Sequence, residues 1–527
     1  MQAEQSAVRD DEDPADEESA GGIDAPSRSD GFVGGVSELI GGRLGGHVAP
    51  LRRSVRYVGL IVLALTCLTL ALHFIQKSPC RDGAWSDYEQ YTKFCYTDVL
   101  ALYYAEGLSD GAVPYLDHAV EYPVLTGVLM GVIGLPVHAY GQTHPQFNQG
   151  QAFYDLTALA LSAFAVATAA MIVAMRRRRP WDAAMFALSP VLLVTATVNW
   201  DFLAIALAVG GLYAWYRSTP GAHRPAYEDV VTPARPPEVS RGGSRWLIPW
   251  VMLRRLGGWL RRQWISWSRH GYLAAIVAGG LLGLGMAAKL WPGFLFVALL
   301  ALAIRNWQWL RFTLAAGAGA LMWLLVNVPV MVANFENWRT FIKLNNERGV
   351  DWGVLWYIGR FIDGKYWTGA PGDSGLFQYL SRDENRSLLN GISLGLFLVA
   401  CIAIIWLAQR APMPPRLTQL AFLVVAVFLL FNKVWSQQFT LWLLPLAVLA
   451  RPRWGAFLAW QFAEVAYFLA FYGELLGASG KSVMPEGVFI FASMLRWATV
   501  AVLCGFIIRD ILRPRLDVVR RTDPVAV

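Results

Sequence analysis

The segment RRSVRYVGLIVLALTCLTLALHFIQK, residues 52–77, decides the fold. Arg52, Arg53 and Arg56 precede an uncharged apolar run from Tyr57 to Ile75. A membrane-spanning helix needs about 20 apolar residues, and this run supplies them. Basic residues before a first span hold that side in the cytoplasm. The polar stretch 1–50 precedes the run, and no small-residue cleavage pattern accompanies it. The segment therefore reads as a retained anchor, not a removed leader. The whole chain agrees with this reading. Of its 527 residues, 55% are hydrophobic and 16% are charged, against about 25% charged in soluble domains. So few charges cannot cover a soluble chain of this length. A soluble enzyme, a disordered protein and a disulfide scaffold are excluded. The expected fold class is an all-α polytopic membrane protein of about 12 transmembrane helices.

The net charge of +7 divides in space. Residues 1–30 carry ten acids and two bases, which leaves 43 bases against 28 acids in the remainder. Residues 1–50 read as a disordered acidic cytoplasmic tail. Residues 51–510 read as the transmembrane domain, and 511–527 as a cytoplasmic C-terminal tail. Apolar runs recur at 57–75, 154–175, 183–198, 201–216, 272–288, 292–304, 311–330, 388–408, 417–431, 438–450, 454–474 and 487–508. A further run, 122–140, contains Pro123, Pro136 and several glycines. If it crossed, Arg176 to Arg179 would face outward, against the positive-inside rule. It is expected to be a re-entrant or juxtamembrane segment on the outer face, with an ordinary span as the alternative. The outer loops are then 76–153 and 331–387. Loop 217–271 is cytoplasmic. It begins as a Pro- and Gly-rich linker and ends in a Trp-rich basic helix suited to the inner leaflet. Cys80 and Cys95 share the first outer loop, and a disulfide between them is plausible there. No zinc spacing, P-loop or dinucleotide fingerprint is present, and no nucleic-acid partner is expected.

Ionisable groups beside apolar spans mark candidate sites. Asp98 lies in a helix-like stretch with Tyr103 and Tyr104. It is placed to act as a general base on an attacking hydroxyl, or to serve as a helix-terminal charge. Glu121 precedes Tyr122 and Pro123, and proline forces Tyr122 towards an extended backbone. The alternative role of Glu121 is a boundary marker. In Asn199-Trp200-Asp201, Asp201 begins a helix, where capping alone accounts for an acid. Lys289, in Lys289-Leu290-Trp291-Pro292, suits a phosphate at the interface or snorkels to water. Asn432, Lys433, Ser436, Gln437 and Gln438 crowd one outer turn and suit phosphate and sugar hydroxyls. Glu464 is an intramembrane acid behind that turn.

Taken together, these motifs resemble the GT-C superfamily of integral-membrane glycosyltransferases. Within it they resemble glycosyltransferase family 87, the actinobacterial polyprenyl-phosphate-mannose-dependent mannosyltransferases. The matching pieces are Asp98 with Tyr103-Tyr104, Glu121-Tyr122-Pro123, Asn199-Trp200-Asp201, Gly285 to Pro292, and Asn432 to Gln438 with Leu441 to Pro445. They spread over roughly 55–510 and are short. The sequence departs from the family pattern in Val124, where many relatives carry a second proline, and in the long insertion before Asp98.

The resemblance implies a plasma-membrane enzyme of cell-wall biogenesis with its active site on the extracytoplasmic side. Its donor is a polyprenyl-phosphate sugar, mannose or another hexose or pentose. Its acceptor is a lipid or cell-envelope glycan, and transfer inverts the anomeric centre. Asp98 is the implied base, with Glu121 as the alternative. Lys289 and Lys433 neutralise the phosphate leaving group, with Asp201, Tyr122, Asn432, Ser436, Gln437 and Gln438 as further donor-binding residues. No cofactor is required, although a divalent metal remains compatible with the acids. Besides donor and acceptor, membrane lipids are the implied partners. The competing readings are a transporter or flippase of lipid-linked sugars and a non-catalytic envelope scaffold.

Overall fold

A computed structural model describes residues 30–45, 55–218, 271–366 and 375–522. The expected acidic arm of 1–29 and the Trp-rich basic helix within 219–270 lie outside the described residues. The described chain is all helical. Six helices are long and apolar enough to cross a membrane, and five shorter ones are also apolar.

We number the principal helices in chain order. They are α1 (Gly31–Gly45), α2 (Val55–Lys77), α3 (Asp98–Ala105), α4 (Val124–Thr143), α5 (Gln149–Met175), α6 (Pro190–Thr195), α7 (Asp201–Ser218), α8 (Tyr272–Ala288), α9 (Leu295–Asn306), α10 (Trp309–Ala333), α11 (Phe335–Glu347), α12 (Leu355–Tyr366), α13 (Arg386–Arg410), α14 (Leu417–Phe431), α15 (Thr440–Ala450), α16 (Trp454–Ala478) and α17 (Glu486–Leu512). The acidic tail expected over 1–50 is helical in part, because α1 occupies its second half. Asp30 fixes this helix by accepting the backbone N–H of Trp454 at 3.1 Å.

Arginines define one end of the bundle. Arg416 pairs with Asp517 at 2.8 Å and donates to the carbonyls of Leu449 and Ala450. Arg176 reaches the same Leu449 carbonyl, Arg179 pairs with Asp182 at 2.9 Å, and Arg451 pairs with Asp510 at 3.2 Å. Arg305 donates to the carbonyl of Ala411 at 2.9 Å. The last carbonyls of a helix have no partner within it, and cations there also meet the negative end of the dipole. The arginines that end α5 and α9 and begin α14 thus serve one local chemistry, and they gather on one side with Arg451 after α15, which pairs with Asp510.

Asp98, Asn199 and Lys289 lie at the other end. Its prolines and glycines make 122–140 a poor straight helix by sequence, expected to be re-entrant or juxtamembrane, but α4 is one continuous helix with Pro136 inside it. By length and composition it is able to cross a membrane. Its contacts nevertheless keep both ends on the Asp98 side. Thr126 donates to the carbonyl of Ala288, next to Lys289, at 2.7 Å. At its far end, Gly141 packs under the side chain of Gln149, the first residue of α5. Gly127 has no side chain because the ring of Tyr115 occupies that space. The Tyr115 hydroxyl in turn bonds the carbonyls of Tyr122 and Pro123 at 3.0 and 2.9 Å. The small residues of this segment therefore admit the first loop, rather than break the helix.

Candidate functional site

Asp98 is held by its own backbone first. Its N–H donates to the carbonyl of Val198 at 2.8 Å. The hydroxyl of Thr97, which caps α3, donates to the carbonyl of Thr197 at 2.8 Å. The preceding residues are pinned as well. Cys80 and Cys95 form a disulfide. The buried Lys77, at the end of α2, donates to the carbonyl of Tyr96 at 2.9 Å.

The side chains then converge on Asn199. Its amide donates to Asp98 Oδ2 at 2.8 Å and to the Tyr122 hydroxyl at 2.5 Å. Its carbonyl oxygen accepts from Lys289 Nζ at 3.4 Å and from the N–H of Trp200 at 2.6 Å. Gln438 adds a second amide to Asp98 Oδ2 at 3.4 Å. Burial raises the Asp98 carboxyl above the ordinary aspartate range. Hydrogen bonds from Asn199 and Tyr96 and the charge of Lys289 oppose that rise, while the charge of Glu121 adds to it. Burial likewise pushes the Tyr122 hydroxyl up.

Lys289 ends α8 in an extended conformation, immediately before the Trp291-Pro292 turn. Its Nζ lies 2.8 Å from Asp201 Oδ1 and 5.1–5.8 Å from the ring centres of Tyr122, Phe439 and Trp442. Trp442 donates to the same Asp201 oxygen at 2.6 Å. Asp201 is fully buried, and its Oδ2 has no hydrogen-bond partner among the described residues. It is placed as the counter-ion of Lys289, not as a group facing an open surface.

Glu121 is exposed, and its backbone N–H donates to Glu106 Oε1 at 3.0 Å. Glu106 is buried, and His118 Nδ1 lies 3.4 Å from its other oxygen. Burial raises the Glu106 carboxyl, and the charge of Glu121 adds to that effect.

The turn after α14 divides between two surroundings. Gln438 joins Asp98, but Lys433 donates to the carbonyls of Arg348 and Asn346 at 2.5 and 3.3 Å, at the C-terminal end of α11. Burial, then the charges of Arg386 and Arg348, push the Lys433 amine down to about 8. Burial raises the Asp351 carboxyl, the charge of Arg348 and the Ser436 hydroxyl oppose the rise, and Asn432 bonds the carbonyl of Val434 within its own turn. Gln437 is buried, with its oxygen unpartnered among the described residues. Glu464 finds its partner in Arg496, at 2.9 Å. Arg496 also donates to the carbonyls of Trp435 and Ser436, bracing the turn from behind.

Sequence reasoning offered Asp98, Glu121, Lys289, Lys433, Asp201, Tyr122, Asn432, Ser436, Gln437 and Gln438 as one set; the structure brings Asp98, Tyr122, Asp201, Lys289 and Gln438 together around Asn199 and places the other five apart from it. The same reasoning named Asn199 only as part of a motif and missed Lys77, Glu106, Asp351 and Arg496. Glu106 and Arg496 are charged residues beside or within apolar runs, which was the available signal. Among the described residues, no three His, Cys, Asp or Glu side chains are grouped so as to hold a metal ion. The chain matches no family model, no curated protein and no solved structure.

Proposed function

We propose that the chain is an inverting membrane glycosyltransferase, of the GT-C kind that its motifs resemble. It moves a hexose or pentose from a polyprenyl phosphate to a hydroxyl of a lipid or envelope glycan. The observation that carries this reading is the half-buried Asp98 carboxylate, held by two amides and linked through Asn199 to Lys289. A carboxyl raised by burial is a stronger base than a free aspartate once it is ionised. Asp98 takes the proton of the acceptor hydroxyl as that oxygen bonds to the anomeric carbon. The bond from that carbon to the phosphate oxygen breaks on the opposite face, and polyprenyl phosphate leaves. Lys289 supplies positive charge where the phosphate gains negative charge. Glu121 is the alternative base, at the exposed rim. Tyr122 and Gln438 orient the site. Lys433, Ser436, Gln437 and Asn432 form a second group that binds donor or acceptor only through the adjoining loop. Asp201 contributes by holding Lys289.

In this reading the arginine-rich end is cytoplasmic, with both termini. About twelve segments cross the plasma membrane, one of them, the expected span 183–198, as two short helices, Ala184–Ala187 and Pro190–Thr195, broken at Leu188-Ser189; α4 lies on the outer side, and the Asp98 centre is extracytoplasmic. The deciding test incubates purified protein with polyprenyl-phosphate mannose and a panel of glycan acceptors, read by mass spectrometry. Wild type yields a hexosylated product and free polyprenyl phosphate, and Asp98→Ala yields neither. Full transfer by a folded Asp98→Ala, Glu121→Ala double variant removes both carboxylates from the mechanism.

A further inference from the structure

A cavity of about 370 Å³, apart from the Asp98 centre, is lined by Tyr357, Arg360, Phe361, Gly364, Lys365 and Glu486. Tyr357, Phe361 and Gly364 recur at four- and three-residue steps along α12 and so share one face of it. Glu486, the first residue of α17, stands opposite. The Tyr357 hydroxyl bonds Glu486 at 3.2 Å and Glu474 at 3.3 Å. The Arg360 guanidinium lies 4.9 Å from the centre of the Tyr357 ring. Arg360 is exposed and pairs with no carboxylate among the described residues.

The composition of these walls selects a ligand class. Two cations, Arg360 and Lys365, and one carboxylate, Glu486, line the cavity; Glu474, bonded to the Tyr357 hydroxyl behind the wall, is a second acid, so the surroundings balance in charge and favour a neutral ligand over an anion. Guanidinium and ammonium groups only donate hydrogen bonds, and carboxylates only accept them. A ligand served by both must itself donate and accept, as sugar hydroxyls do. The Phe361 ring offers an apolar surface for the C–H face of such a sugar. The volume falls at the lower end of the range for small-ligand pockets, about 300–1,000 Å³, which suits a short saccharide and not a lipid. The cavity also communicates with the Asp98 centre through one turn. Trp356 of α12 donates to the carbonyl of Phe431 at 3.0 Å, and Asp351 donates to that of Lys433 at 2.9 Å. Gln438 of that turn reaches Asp98.

We infer that this cavity is a saccharide-binding subsite that holds a glycan acceptor at a distance from the transfer centre. The inference rests on the transferase reading for its biological sense, but not for its test. Full-length protein in lipid nanodiscs, free of glycosidic detergent, is titrated calorimetrically with linear mannotetraose and, separately, with inorganic phosphate. Wild type and Asp98→Asn bind mannotetraose saturably. Arg360→Ala and Glu486→Gln, which alter exposed residues and are first checked for wild-type thermal melting, bind it at least about tenfold more weakly. Phosphate does not compete. In the transfer assay the same two variants raise the acceptor KM and leave kcat unchanged. Absence of saturable mannotetraose binding, equal binding by the variants, or displacement by phosphate overturns the inference. Binding that the variants lose, with no transfer by wild type, keeps the subsite and rejects the transferase reading.

Discussion

Asp98 carries opposite demands on activity and on stability. A catalytic base must be ionised, so activity is lost as pH falls through the raised pKa of its carboxyl. The acid limb of the rate profile is therefore expected above the ordinary aspartate range, and Asn199→Ala moves it further up by removing the strongest hydrogen bond to the charged form. Stability runs the other way. Because the folded state binds this proton more tightly than the unfolded state, Asp98 lowers stability progressively as pH rises from the unfolded pKa through the folded one. Asp98→Asn is thus expected to lose about 10²–10⁴-fold in kcat while its melting temperature at neutral pH equals or exceeds that of wild type. A lowered melting temperature with retained transfer contradicts both halves. Asp201 behaves differently, because it is the buried partner of Lys289. Asp201→Asn leaves a buried ammonium without its counter-ion, a loss of about 3–5 kcal/mol. Marked thermal destabilisation is expected, and restoration by the further change Lys289→Met distinguishes a broken pair from a lost ligand contact.

At the scale of elements, the loop between α2 and α4 is built to hold Asp98 and Tyr122 still. Glu106 is its buried anchor, since it accepts the N–H of Glu121 and lies beside His118. Glu106→Ala orphans that N–H, at about 1–3 kcal/mol, whereas Glu106→Gln keeps an acceptor there. Transfer by the Ala variant is expected to fall about tenfold or more and that of the Gln variant to stay near wild type, measured as kcat at saturating donor. The all-helical membrane character and the arginine-rich end were legible from hydropathy and charge, because both are summed over many residues, whereas the break within 183–198 was not. The site was legible in Asp98, Lys289 and the Asn199-Trp200-Asp201 turn, because a charge beside an apolar run is rare enough to stand out. Two features were not legible. Lys433 and Gln438 are near in sequence, yet the extended turn between them sends Lys433 to the α11–α12 connection and Gln438 to Asp98. Lys77 reads as an ordinary basic span terminus, and only tertiary packing turns it inward onto the Tyr96 carbonyl.

For the whole molecule, the placement of α4 decides how many times the chain crosses the bilayer and which face holds Asp98. If α4 crossed, the loop at Gln146 would share a side with the N-terminus of α2, and the arginines after α5 would lie across the membrane from it. The contacts argue otherwise. Asn148 donates to the carbonyl of Asp82 at 3.1 Å, which keeps the α4–α5 connection with the first loop, and Arg176 bonds the α15 terminus at the opposite end. Labelling of single cysteines by a membrane-impermeant maleimide on intact cells separates the two arrangements. Cys67, Cys401 and Cys504, the free thiols, are first replaced by serine. Cysteines at the exposed positions Asp117 and Gln146 are both expected to label from outside, and one at Arg178 only after permeabilisation. Labelling of Asp117 and Arg178 from outside, with Gln146 protected, would make α4 a span and set the arginine end against the positive-inside rule. Labelling of Arg178 alone would invert the molecule and move Asp98 to the cytoplasmic face. In that case a donor presented on the outer leaflet could not reach the base, and the transferase reading would need a cytoplasmic lipid-linked sugar instead.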